Sequence, residues 1–303
     1  MRKSILFLTV GALALTMLSV TSCKKKDGVF NPKEKIHKEY FERTYVDSNG
    51  KSTVVNKKSL SQIYRWDKNK LIQIEDGGGW SYYFTYDGNQ ISKIEIGDYV
   101  VVNFKYDKAD LKTIETMDAR EDRLMSIITV TERSDRKITK FTQERFSYVD
   151  DDASTKSNNM SEKLYPIMKM LLSDQIAKNM CENMEKETKA HKATTITTWT
   201  SKYELTFEGN NVTKIKQTYE DTITNTMVYT YDSKKNPLYN SIFDGLVSGQ
   251  SENNVTSYYN ILDHDDVVKF EYTYTGDYPA TRTAKTKHGS ITSVEVDFYE
   301  YME

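Results

Sequence analysis

Aromatic residues two apart recur along this chain at a fixed interval. Tyr64-Arg65-Trp66-Asp67 gives way to Phe84-Thr85-Tyr86-Asp87 and then to Phe104-Lys105-Tyr106-Asp107; the first ring moves from 64 to 84 to 104, an offset of 20 residues each time. Behind each unit an aliphatic residue follows in register (Leu71, Ile91, Leu111), and a second lies three positions further on (Ile74, Ile94, Ile114). The pattern returns at Leu205-Thr206-Phe207, with Val212 and Ile215 behind it, and in worn form at Tyr229-Thr230-Tyr231-Asp232 and Tyr272-Thr273-Tyr274. Side chains alternate across a strand with period two, so aromatic-x-aromatic puts both rings on one face and the polar residue between them on the other. The Asp-Gly-Asn sequence and its relatives supply tight turns, because Asp, Asn and Gly tolerate left-handed backbone. The period holds two strands of about seven or eight residues, each ~23–26 Å long, and two short turns.

The expected fold is therefore all-β: an antiparallel up-and-down meander of tandem hairpins, roughly sixteen to eighteen strands in a large curved or barrel-like sheet. One segment interrupts it. From Met160 to about Lys189 the strand signals stop, and Leu164, Ile167, Met168, Leu171, Leu172, Ile176 and Met180 fall near helical spacing, which predicts one inserted α-helix over about 160–189. Its methionines are read as packing against the aromatic face of the sheet rather than as a plastic partner groove.

Composition narrows the function classes. The chain has 303 residues, and 42 Lys plus Arg against 44 Asp plus Glu give a net charge of −2, so no basic excess exists to hold a nucleic-acid backbone. Aromatic residues at 12%, including 22 tyrosines, exclude a disordered chain. Met1-Arg2-Lys3 is a basic start, and the apolar run from Ile5 to Val20 is shorter than the ~20 residues of a membrane-spanning helix, which is the pattern of a secretory signal. Val20-Thr21-Ser22-Cys23 closes that run and is similar to the lipobox of bacterial lipoproteins. The resemblance implies cleavage after residue 22, lipidation of Cys23 and a membrane as partner through that lipid. The organisation expected is a signal peptide over 1–22, a lipidated linker over 23–35, solvated to about Pro32, and one hairpin-repeat domain over 36–303. Lys24-Lys25-Lys26 follows the cysteine, where related surface-displayed lipoproteins carry acidic residues, so an outer-membrane tether facing either the periplasm or the surface fits.

The hairpin motif resembles the "YD" repeats of large bacterial surface and toxin-shell proteins. It is more similar still to a family of Bacteroidetes lipoproteins of unknown function, rich in aromatic-x-Tyr-Asp-x-x-Gly/Asn hairpins and porin-like in fold. The resemblance spans roughly residues 36–303, is clearest from Ile63 to Ile114, and implies an architecture but no active site. A membrane barrel is the weaker reading: a lipid anchor is redundant for an embedded protein, and Phe298 to Glu303 does not end on an aromatic residue. Lys93, Glu95, Lys214 and Lys216 suit a solvated face, so a water-soluble sheet, wholly or partly closed, is expected.

No chemistry-bearing constellation stands out. The histidines (His37, His191, His264, His288) share no zinc spacing, and Asp263-His264-Asp265-Asp266 lies where a hairpin turn is needed. Asp150-Asp151-Asp152 lacks the alternation of a calcium loop, Gly77-Gly78-Gly79 precedes no helix, and Gly245 to Gly249 misses the spacing of a nucleophile elbow. Cys181 has no activating neighbour and, once Cys23 is lipidated, no disulfide partner. No catalytic, metal or cofactor residue is assigned. Trp80 and Trp199, the tryptophans least explained by the repeat, are the candidate contacts for a glycan, peptide or envelope-protein ligand. The expected function is a non-catalytic, envelope-anchored binding or scaffold module; the alternative is a hydrolase of cell-envelope or dietary polymers with two carboxylates in one cleft.

Overall fold

The computed structural model describes residues 26–148, 196–241, 248–288 and 290–303. The strands are β1 (Ile36–Val46), β2 (Ser52–Asp67), β3 (Lys70–Asp76), β4 (Ser81–Asp87), β5 (Gln90–Ile96), β6 (Val100–Asp107), β7 (Asp110–Asp118) and β8 (Arg123–Ser134). They continue as β9 (Lys137–Tyr148), β10 (Ile196–Glu208), β11 (Asn211–Tyr219), β12 (Thr222–Lys235), β13 (Asn253–Asn260), β14 (Asp263–Thr275), β15 (Tyr278–His288) and β16 (Ile291–Tyr301). Each pairs antiparallel with its sequence neighbours, and β1 pairs with β16 from Ile36↔Tyr301 to Val46↔Thr292, so the sheet closes as an up-and-down barrel. Closure removes both sheet edges. The helix expected over 160–189 lies outside the described residues.

The spacing of three between the aliphatic positions has a structural cause. Strict alternation would send Leu71 and Ile74 to opposite faces, but Arg65 pairs with Gln73 and Trp66 with Leu71, which leaves Ile72 as an extra residue. The same one-residue bulge falls at Ser92, Lys112 and Thr213. It flips the parity, so Leu71/Ile74, Ile91/Ile94, Leu111/Ile114 and Val212/Ile215 all point inward, none more than 4% exposed. Burial of each such side chain contributes about 1.5–3 kcal/mol.

A bulge also turns backbone groups off the ladder, and the repeat supplies their partners. The carbonyl of the residue before the extra one accepts the hydroxyl of the next hairpin's tyrosine: Tyr86 reaches Leu71 at 2.8 Å, Tyr106 reaches Ile91 at 2.6 Å, and Tyr231 reaches Val212. Where β8 has no tyrosine, Arg133 Nη2 donates to the Leu111 carbonyl instead, at 2.8 Å. This is why the second ring of the motif is a tyrosine at 86, 106 and 231.

The matching N–H groups point into one mouth of the barrel, here the near end, which carries the turns after Asp67, Asp87 and Asp107. Two segments close that mouth. Residues 26–35 form a strap: the Gly28 carbonyl accepts Ile91 N–H at 2.9 Å, and Asp27 Oδ2 accepts Leu111 N–H at 2.8 Å and pairs with Arg133 at 2.5 Å. Phe30 is buried against Trp66, whose Nε1 donates to the Ile36 carbonyl at 2.8 Å. Residues 236–241 and 248–252, between β12 and β13, form a hook: Gln250 Oε1 accepts Ile138 N–H at 3.0 Å and Ser251 Oγ accepts Val212 N–H at 3.1 Å. The stretch read as the tail of a solvated linker is thus part of the folded body, because bulged strand tips offer it donors that water would otherwise have to satisfy.

The worn copy at Tyr229–Asp232 does not end in a hairpin. β12 runs on to Lys235, and the Asp232 carboxylate instead accepts the N–H groups of Lys234 and Asn254 and the Tyr274 hydroxyl. The turn before β14 falls at Ile261-Leu262, ahead of Asp263–Asp266, because Asn260 Oδ1 accepts the Leu262 N–H at 3.1 Å and initiates it there. Gly77 fits its turn because an added Cβ would lie 2.5 Å from the Leu60 carbonyl oxygen.

Candidate functional site

Two faces of the wall differ in chemistry. Outside, ion pairs bridge neighbouring strands: Arg65–Glu75, Lys105–Glu115, Lys140–Glu132, Lys216–Glu204 and Lys285–Glu271. Inside, from β2 to β12, one apolar cluster runs from Tyr64 to Tyr229. Side chains at 0–2% exposure cannot line a water-filled channel, so this sector of the barrel is packed. Exposed pairs of this kind contribute little stability, about 0–1 kcal/mol each, but they make the outer face charged.

The inner wall of β14, β15, β16 and β1 is different. In β16 the parity places Ser293, Glu295 and Asp297 inward. Arg282 Nε donates to Asp297 Oδ2 at 2.8 Å, its Nη2 lies 2.7 Å from the same oxygen, and the guanidinium stands 5.3 Å from the Phe270 ring centre. Burial works against the Arg282 charge, yet Asp297, with Tyr299, Tyr272 and Glu39 nearby, more than offsets it and holds the guanidinium well above its ordinary pKa. Burial likewise pushes the Tyr272 hydroxyl up to about 12. One layer further along, Arg43 Nη2 meets Glu295 at 2.7 Å, both side chains about a third exposed, and Arg43 Nε is buried without a hydrogen-bond partner. Two cation–carboxylate pairs beside tyrosines can hold a polar or charged ligand by hydrogen bonding. They contain no nucleophile with an adjacent base.

A second polar stretch lies opposite the near end, on β7 to β12. Thr116, Ser126, Gln143, Ser201 and Asn225 follow one another across the inner wall, all buried. Gln143 Oε1 accepts the Tyr203 hydroxyl at 3.4 Å, while its Nε2, Thr116 Oγ1 and Asn225 Oδ1 have no partner. Trp199 continues this inward row one step beyond Ser201 and pairs across the ladder with Arg145. Trp80 stands at the start of β4, its ring 5.2 Å from Tyr99. Both tryptophans expected as ligand contacts therefore sit toward the far end. They do not form one platform, since β4 and β10 are not neighbours. Cys23 and Cys181 lie outside the described residues.

At the near end, a cavity of about 140 Å³ lies between the strap and the hook, lined by Asn31, Lys33, Lys235, Tyr239, Glu252 and Tyr278 among others. It is smaller than the ~300–1,000 Å³ of ordinary ligand pockets. Among the described residues, no group of three or more His, Cys, Asp or Glu side chains could hold a metal ion, and no helix is long and apolar enough to cross a membrane. Sequence reasoning missed the Arg282–Asp297 and Arg43–Glu295 pairs. The available signal was charge at the inward parity of β16, legible only once Val294, Val296 and Phe298 are known to face outward.

Comparison with solved structures returns likenesses at low identity. A porin-like protein from Bacteroides vulgatus matches with a TM-score of 0.48 and 9% identity, over 89% of this chain and 99% of that one. A porin-like protein from Bacteroides uniformis matches with a TM-score of 0.37 and 9% identity, over 88% and 98% of the two chains. A chain in the structure of TcdB2-TccC3-Cdc42 is similar at a TM-score of 0.23 and 12% identity, over 87% of this chain but 17% of its own. No family model and no curated protein matches the sequence.

Proposed function

We propose that this protein is an envelope lipoprotein, tethered to the outer membrane through Cys23, whose barrel stands in water and works as a non-catalytic binding or scaffold module. The observation that carries the reading is the polarity of the wall, packed within by one apolar cluster from β2 to β12, with buried polar side chains confined to the far end of β7 to β12, and laced with ion pairs without. A lipid-facing barrel requires the opposite arrangement, so attachment to a membrane falls to the lipid. The ligands that fit are glycans, peptides or envelope proteins, met by the charged inner wall around Arg43 and Arg282 and by the rings of Trp80 and Trp199.

Labelled palmitate tests the tether. Incorporation into the expressed chain is expected, together with its loss in Cys23→Ser and release of that variant to the soluble fraction. Reconstitution into a planar bilayer tests the polarity argument: no conductance steps are expected, and stable channels would overturn it. Glycan and peptide arrays probed with the native protein, Trp199→Ala and Arg43→Ala test ligand capture. A hit that both variants retain would move the contact away from the inner wall.

A further inference from the structure

We infer that the near end of the barrel is a membrane-apposed surface, seated against lipid headgroups, and that the far end, with Trp80 and Trp199, points away from the bilayer. The inference rests on the tether at Cys23 and adds the orientation that the fold imposes on it. The strap is the reason. Asp27 is its fastening: Asp27 N–H donates to the Ala109 carbonyl at 2.9 Å, its carboxylate holds Leu111 and Arg133, and Gln90 Nε2 donates to its carbonyl at 2.9 Å. Gly28 and Phe30 are buried just beyond. The chain is therefore fastened to the turn between β6 and β7 before it can act as a spacer.

Only Cys23, Lys24, Lys25 and Lys26 precede that fastening, and four residues reach at most ~14 Å. The far end lies beyond the length of β1, about 25–30 Å away along the barrel axis once strand tilt is allowed for. A tether this short cannot let the barrel turn over. Exposed cations project from three near-end turns at positive φ (Lys68, Lys108 and Arg136), and the exposed Lys26 adds to them. Asp67, Asp87 and Asp107 offset much of that charge, so reach rather than charge sets the geometry.

The test uses the mature chain, residues 23–303, with Cys181→Ser and a dipalmitoyl maleimide lipid on Cys23. It is bound to phosphatidylcholine–phosphatidylglycerol vesicles containing a headgroup-dansylated lipid. Energy transfer is compared between a variant keeping only Trp66 and one keeping only Trp199. Transfer several-fold stronger from Trp66 is expected. Inserting about twenty Gly/Ser residues between Lys25 and Lys26, a coil of ~25 Å, should remove most of that difference. Equal transfer from both rings, or stronger transfer from Trp199, without the spacer would overturn the inference. Lysine acetylation of the lipid-linked protein with all three tryptophans gives a readout independent of their replacement. Several-fold protection of Lys68 and Lys108, with Lys51 and Lys57 unchanged, is expected; the reverse pattern overturns it. An unmodified Cys23 in native membranes would remove the tether reading while leaving the vesicle geometry standing, so the two failures are distinguishable.

Discussion

The Tyr106 hydroxyl donates to a carbonyl that a bulge has turned off the ladder, in a site where burial raises the phenol's pKa. Replacing it with Phe keeps the ring and orphans the carbonyl, so Tyr106→Phe is expected to cost about 1–2 kcal/mol in urea unfolding. Tyr83→Phe, on the exposed outer face, is expected to change stability by less than ~0.5 kcal/mol. Equal effects would show that the motif needs only a ring. Lys108 sits at the first turn position with φ +58°, where Gly88 and Gly209 stand in sister hairpins. A side chain there strains the backbone, so Lys108→Gly is expected to raise the urea midpoint, by up to ~1 kcal/mol in stability. The sequence showed the aromatic pair and the turn residues plainly. It showed the bulge only as a spacing of three, which periodicity alone does not separate from helical character.

Among elements, the strap and the hook do for the near end what a neighbouring strand would do for an edge. Asp27 is the strap's main fastening, and its removal leaves Leu111 N–H and the mostly buried Arg133 guanidinium without it. Asp27→Ala is expected to destabilise by about 2–3 kcal/mol, below the cost for a fully buried pair because water reaches part of this one. Limited proteolysis should then cut between Lys26 and Lys35, where the native protein resists; unchanged resistance would show that Phe30 alone holds the strap. Neither element was legible in the sequence. Asp27 and Gly28 fall in the stretch read as a linker over 23–35, and Gln250 and Ser251 lie in no repeat; their partners include backbone groups on strands far away in the chain. Hairpins, by contrast, were legible because everything that specifies one lies within a single period.

For the whole molecule, burial raises the pKa of many phenols, among them Tyr86, Tyr106, Tyr231, Tyr272 and Tyr301. A phenol whose pKa is higher folded than unfolded holds its proton more tightly in the native state. Stability is then insensitive to these groups below about pH 10, the unfolded value, and falls as pH rises above it. Urea midpoints measured from pH 7 to about pH 11.5 are expected to stay level with respect to tyrosine and then drop; a midpoint unchanged through this range would mean the rings are not buried. The seam between β1 and β16 carries a different consequence. Every other pairing joins strands that follow one another in the chain, although β9 and β10 pair across residues 149–195, but Ile36 must wait for Tyr301, at the opposite end of the polypeptide. Loop closure of that length is slow, and until it happens the nascent ribbon carries two adhesive borders. A chain shortened by its last strand keeps both borders open and is bound for aggregates rather than a narrower ring.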